Sequence, residues 1–361
     1  MKKINLIVLF TLLTLGLFAQ NSKTENVIIV TLDGFRWQEV FGGADDSLIN
    51  NPHFSFDTAE LKKKYWAGSP EERRKKLLPF FWSTIASQGQ LHGNRNLGSK
   101  VNVKNPYWFS YPGYNEIFTG YPDTAVNSND KIFNKNTTVL EFLNHQASFN
   151  GKVAAFTSWD CFDAIFNEPR SKFLVSSGID KIRINSPQFS LLNEMQEETP
   201  QPLGAEVRPD FLTYSLAKEY IRENKPKVLY IAFDETDDYA HGGRYDFYLN
   251  TAHIEDKWIG ELWSMIQQMP EYKDKTTLLI LCDHGRGDKI KKEWTSHGSK
   301  IEGSNQIWLA AIGAGIDPKG EIKTDEQLYQ AQMAQTIAGL LGYTFKANQP
   351  IENSIGQIIR K

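Results

Sequence analysis

The chain has 361 residues, a formal charge of −3 and 40% hydrophobic residues, which is ample apolar material for one large α/β domain. Nine Trp, 14 Tyr and 22 Phe exclude a disordered chain, and 40 basic against 43 acidic residues leave no nucleic-acid-binding surface evident. The two cysteines, Cys161 and Cys282, are too few for a disulfide scaffold. Cys282 falls in an apolar run where free thiols are common, so both are expected to be buried and unpaired.

Residues 1–20 have the make-up of a signal peptide. Lys2 and Lys3 precede an apolar run that ends at Phe18, and the small Ala19 stands before a polar stretch. The run is short for a membrane span and no other segment qualifies. The expectation is an exported protein, periplasmic or extracellular, with residues 21–361 as a single domain.

Residues 26–33 (NVIIVTLD) read as a strand buried on both faces and ending at Asp33-Gly34. Residues 61–88 read as helical, their mixed charges marking a solvated face. Residues 105–123 form an aromatic, Gly- and Pro-containing loop leading into a short helix near Asn115. A helix is expected at 138–145 and a strand at 152–159. Residues 159–201 show no clear period and are expected to hold a small insertion or substrate lid. Strands follow at 228–233, 276–281 and 307–312, a helix at 253–269, and a closing helix at 328–341. Strands alternating with helices predict α/β layers around a mostly parallel sheet.

Three of these strands run into acidic residues: one ends at Asp33, one leads to Asp237 and His241, one ends at Asp283-His284. His297 follows in Thr295-Ser296-His297-Gly298. Each alone has an ordinary explanation, such as a turn-initiating Asp or a surface His pair one helical turn apart. Parallel strands, however, bring such ends to one edge of the sheet, where ligands bind in open α/β folds. Mixed carboxylate and imidazole ligands suit zinc, with manganese a weaker option. Two ions about 4 Å apart are a known clamp for a phosphoryl group. Ser110, in Phe109-Ser110-Tyr111-Pro112-Gly113, is either a helix cap or the nucleophile that such a centre needs.

The ordered segments VIIVTLDGFRW, FSYPGYNEIFTGYPD, DETDDYAH, LCDHG, TSHG and QAQMAQTIAGLLG resemble the alkaline phosphatase superfamily, and most closely its type I phosphodiesterase/nucleotide pyrophosphatase branch. The resemblance implies an alkaline phosphatase-like three-layer α/β/α sandwich with a largely parallel central sheet. It also implies an exported hydrolase of small phosphate esters or nucleotide-like substrates. Asp33, Asp283 and His284, with the oxygen of Ser110, would bind one zinc; Asp237, His241 and His297 would bind the other. Ser110 would attack phosphorus and form a covalent intermediate that water then hydrolyses. An Asn beyond the nucleophile supplies a donor in relatives; Asn127 and Asn129 are the candidates here, with Asn129 favoured.

The chain departs from the pattern in presenting Ser-Tyr-Pro-Gly-Tyr where phosphodiesterase relatives have Thr-Phe-Pro-Asn-His, which leaves the nucleotide pocket open. Tyr114 stands where a sulfatase carries the Arg of its formylglycine motif, which disfavours a sulfatase. No motif locates the cations that grip a terminal phosphate in monoesterases; Arg170 and Lys172 are the candidates. A mutase-like phosphate transfer and a non-catalytic binding protein on the same fold are the other readings.

Overall fold

The structure, a computed structural model, describes residues 24–360 other than 202 and 205, so the leader read at 1–20 lies outside it. Its centre is β1 (Asn26–Leu32), buried at all seven positions. A strand covered on both faces is apolar throughout rather than alternating, which is what NVIIVTL encodes. β1 pairs in parallel with β6 (Val228–Phe233) on one side and β7 (Thr276–Leu281) on the other.

Among the described residues the main sheet has eight strands in the order β10-β2-β9-β7-β1-β6-β4-β5. The others are β2 (Gly89–His92), β4 (Val153–Thr157), β5 (Leu174–Ser177), β9 (Leu309–Gly313) and β10 (Gly320–Glu321). β9 runs antiparallel to both β7 and β2; the remaining pairs are parallel. A second sheet joins β3 (Ser99–Asn102), β8 (Gln306–Ile307) and β11 (Glu326–Tyr329). The fold is thus α/β with a large, largely parallel central sheet.

Several local readings change. The helical stretch at 61–88 is broken into Thr58–Tyr65, Pro70–Leu77 and a π-helical turn Phe81–Ile85. Pro70 cannot continue a preceding helix, and Ser69 with Glu72 forms a capping box that starts a new one. The segment 159–201 holds β5, an edge strand of the main sheet, and the helix Pro187–Glu198. Its lack of period reflects short elements separated by turns rather than an excursion from the fold. The strand expected at 307–312 is split between the two sheets after Ile307. The closing helix starts later, at Met333–Leu340, because β11 takes up its first residues. Cys161 and Cys282 are buried and unpaired. No helix among the described residues is long and apolar enough to cross a membrane.

Candidate metal and nucleophile site

Strand register sets the site. Leu32 of β1 lies opposite Phe233 of β6, and Thr31 lies opposite Leu281 of β7. Residues just beyond these positions therefore emerge together at the carboxyl edge of the sheet. They are Asp33, the Asp234–His241 segment, and Cys282-Asp283-His284.

The first cluster is Asp33, Asp283 and His284, all buried, with one ligand atom from each within 4.8 Å of the others. His284 Nε2 stands 3.4 Å from Asp33 Oδ1 and 3.3 Å from Asp283 Oδ2. Its Nδ1 lies 3.0 Å from the Gly285 carbonyl, which can only accept. The neutral ring therefore carries its proton on Nδ1 and turns the Nε2 lone pair inward. Asp33 Oδ1 and Asp283 Oδ2 have no hydrogen-bond donor although they are buried. Such orphans are costly in an otherwise satisfied interior unless something positive sits between them.

Ser110 completes this cluster. It is the first residue of the helix Ser110–Thr119, whose start at Ser110 is earlier than the sequence suggests. The N-cap position belongs to Phe109, so Ser110 is not a capping residue. Its Oγ lies 3.4 Å from His284 Nε2 instead. Pro112 costs nothing here, because the first turn of a helix needs no donor to a preceding carbonyl.

The second cluster brings Asp237 and His297 together with His284, one ligand atom from each within 4.8 Å of the others, and the expected ligand His241 stands beside it. Asp237 and His241 share a face of the helix Glu235–His241. His241 Nε2 is 3.1 Å from Asp237 Oδ2 and 3.0 Å from His297 Nε2. His297 Nε2 reaches within 3.9 Å of Asp237 Oδ1 and its ring stacks on His284, centroids 3.9 Å apart. The two clusters thus meet at His284. This one is more open: the His241 side chain is 46% exposed, against 0% for His284.

Charge follows the same division. Burial, then repulsion from Asp237, pushes Asp33 well above the usual carboxylate range. Burial, then Asp33, does the same to Asp283. Burial also works against Asp237, but Arg286 and His241 outweigh it and hold that group well below the usual range. His297 is pushed down to about 2 by burial and by neighbouring His284.

Asn129 and Ser110 line one cleft of about 760 Å³, whereas Asn127 lines a smaller neighbouring cavity. The Asn129 carbonyl oxygen accepts from the Tyr111 main-chain N–H at 2.9 Å. Arg170 is not in the site: it forks onto Glu141 and donates to the Asn134, Lys135 and Asn136 carbonyls. Lys172 is exposed at the end of the helix Glu168–Ser171.

Sequence reasoning missed three contributors. Tyr114, one turn after Ser110, donates to Asp33 Oδ2 at 2.7 Å. Arg286, fully buried, donates to the Asp237 carboxylate and to its main-chain carbonyl. Gly34 donates its N–H to Asp283 Oδ1 at 3.1 Å. Gly34 sits at φ +56, and a Cβ there would lie 2.5 Å from Asp237 Oδ1. The Asp-Gly dipeptide was legible as a turn signal; all three bonds cross long sequence separations and leave no local trace.

The family model for type I phosphodiesterase / nucleotide pyrophosphatase matches residues 46–295. The chain belongs to that family. The match includes Ser110, Asp237, His241, Asp283 and His284, while Asp33 and His297 fall outside it and join the site through the fold. Among solved structures, the alkaline phosphatase PafA is similar at 12% identity and TM-score 0.60, over 94% of this chain and 99% of that one. Murine ectonucleotide pyrophosphatase / phosphodiesterase 5 in complex with AMP gives 13% identity and TM-score 0.53, over 92% and 98%. The phosphonate monoester hydrolase of Agrobacterium radiobacter gives 12% and 0.56, over 93% and 77%. At such identities the likeness speaks for the fold. No curated protein matches the sequence. The chain is therefore a type I phosphodiesterase / nucleotide pyrophosphatase family member with an alkaline phosphatase-like fold, and it carries two overlapping groups of candidate metal ligands, Asp33-Asp283-His284 and Asp237-His284-His297.

Proposed function

We propose that the protein is an exported two-zinc hydrolase that cleaves phosphodiesters through a covalent intermediate on Ser110. The carrying observation is the convergence of Ser110 Oγ and His284 Nε2 with Asp33 Oδ1 and Asp283 Oδ2, two buried oxygens without donors. That donor set fits a cation. Asp33, Asp283, His284 and Ser110 would hold one ion, and Asp237, His241 and His297 the other. Mixed oxygen and imidazole ligation favours zinc over manganese. When bound, the ions supply Lewis-acid polarisation of the phosphoryl oxygens and ease loss of the Ser110 proton.

The chain's own groups do the rest. Ser110 Oγ, its proton passed to solvent, forms a bond to phosphorus as the bond to the leaving alkoxide breaks and the alkoxide takes up a proton from water. Asn129, its carbonyl oxygen already held by Tyr111 N–H, keeps its amide N–H groups for a non-bridging oxygen. Water then attacks phosphorus, the bond to Ser110 breaks and the hydroxyl is restored. Export is supported by the composition of residues 1–20 and is checked by fractionating cells that express the chain.

Preference for a diester is supported by the walls of the cleft. Asp130, Asp160, Glu206, Asp234 and Asp238 line it, and Lys131 is the lysine or arginine among its lining residues. The Lys131 ammonium is shared between Asp160 and Asp163, each at 3.3 Å. Among the described lining residues no cationic side chain is free to meet the second charge of a dianionic monoester, whereas a diester carries one charge. Parallel assays of an aryl phosphate, a bis-aryl phosphate and an aryl sulfate, with and without chelator, test the reading. Chelator-sensitive turnover of the diester above the other two is expected; chelator-resistant turnover or a preference for the monoester overturns it.

A further inference from the structure

One regularity runs through the three site carboxylates. Asp33 Oδ2 accepts from Tyr114 while Oδ1 is left without a donor. Asp283 Oδ1 accepts from Gly34 N–H while Oδ2 is left without a donor. Asp237 Oδ1 accepts from Arg286 while Oδ2 faces His241 Nε2 at 3.1 Å. In Asp33 and Asp283 one oxygen is tied to the protein and the other is turned to His284 Nε2; in Asp237 the tied Oδ1 also lies 3.8 Å from His284 Nε2 and 3.9 Å from His297 Nε2, and Oδ2 is the oxygen the guanidinium leaves to His241.

From this pattern we infer that Tyr114 and Arg286 are positioning residues that restrict Asp33 and Asp237 to one-oxygen ligation, and so select a small, low-coordination cation for this centre. The inference rests on the two-ion reading above. A carboxylate free to rotate can offer both oxygens, which suits larger ions with six or more ligands; one that is pinned offers one, which suits four-coordinate zinc. Donors behind metal ligands are known to orient them in this way.

The placement of the two residues adds to the argument. Tyr114 lies on the helix that begins at Ser110, so a single rigid element carries the nucleophile and the donor that orients Asp33. Arg286 is two residues past His284, and its guanidinium also reaches the Trp294 carbonyl at 3.4 Å, just before His297. It therefore joins the segments bearing Asp237, His284 and His297. Neither donor touches the cleft that admits substrate: Tyr114 is 1% exposed and Arg286 1%.

The test uses the full-length mature chain and its variants Tyr114→Phe, Arg286→Lys and Arg286→Met, stripped of metal and refilled. Zinc and manganese affinities are measured by competition with a chromophoric chelator, and the cobalt-loaded forms by visible absorption. Tyr114→Phe preserves volume and removes one hydroxyl; it is expected to weaken zinc binding about 10-fold and to narrow the zinc-to-manganese ratio by a similar factor. Its cobalt absorption should fall, as four-coordinate cobalt gives way to higher-coordinate. Arg286→Met should show the same signs at the other ion, and Arg286→Lys should restore part of the loss. Unchanged affinities and cobalt spectra in Tyr114→Phe overturn the inference, even if Arg286→Met fails to fold. A wild-type chain that takes up no zinc overturns the proposed function instead.

Discussion

The two ligand clusters differ more than their similar composition suggests. Asp33, Asp283 and His284 are buried, and two of their oxygens lack any donor. Asp237, His241 and His297 lie nearer solvent and partly satisfy one another, with Arg286 neutralising the single carboxylate. A positive ion relieves repulsion between two carboxylates in the first cluster but meets a guanidinium beside the second. On the two-ion reading, the first cluster would hold its cation more tightly and the second would exchange its ion more readily.

The largest expected effect lies at the nucleophile beside the first cluster. Ser110→Ala should lower turnover by about a thousandfold or more while leaving the metal content unchanged, read by steady-state kinetics and elemental analysis. Undiminished turnover would remove the nucleophile from the proposal. Next come the histidines. His284→Ala should abolish the pre-steady-state burst of leaving group, whereas His297→Ala should keep a burst and slow the following phase by about 10–100-fold. If the two variants show the same kinetics, the clusters are not functionally distinct.

Graded chelation probes the same difference by equilibrium. One ion should leave at low chelator with loss of steady-state turnover, and the second only at higher chelator; simultaneous loss would contradict the division. Acid offers a further handle. Asp33 and Asp283 have raised pKa values, so they retain protons at pH values where ordinary carboxylates have lost them, and a cation must displace those protons. Zinc affinity should therefore fall as pH drops, with protons released on binding in mildly acidic buffer, as isothermal calorimetry in buffers of different ionisation heat would show.

A stability effect, separate from turnover, concerns a buried carboxylate that needs no cation. Glu116 accepts from Lys104 N–H, from Asn105 through both main chain and side chain, and from Ala331 N–H. Burial outweighs these donors and raises its pKa from 4.5 to about 7. A raised acid binds a proton more tightly folded than unfolded. Its stabilisation is full below about 4.5 and is lost as pH rises through about 7. Glu116→Gln should flatten that decline, worth about 3 kcal/mol, in urea titrations run across the range.

What the sequence determined by itself is the set of strands and their endings. Val27 to Leu32, Leu229 to Phe233 and Leu278 to Leu281 had to be buried on both faces, and the polar residues that follow had to leave the sheet. The order of those endings was enough to propose six ligands and Ser110. Tertiary structure decided what the local pattern could not carry. Register placed Asp33 beside Asp283, and packing of the Ser110 helix turned Tyr114 onto Asp33. Arg170 was taken up by Glu141, and Arg286 was brought to Asp237. A hydrogen bond between residues far apart in the chain imposes no period on either segment, so only the fold reveals it. The Asp-His pair at the end of β7 was visible as chemistry; which of its oxygens stands free was not.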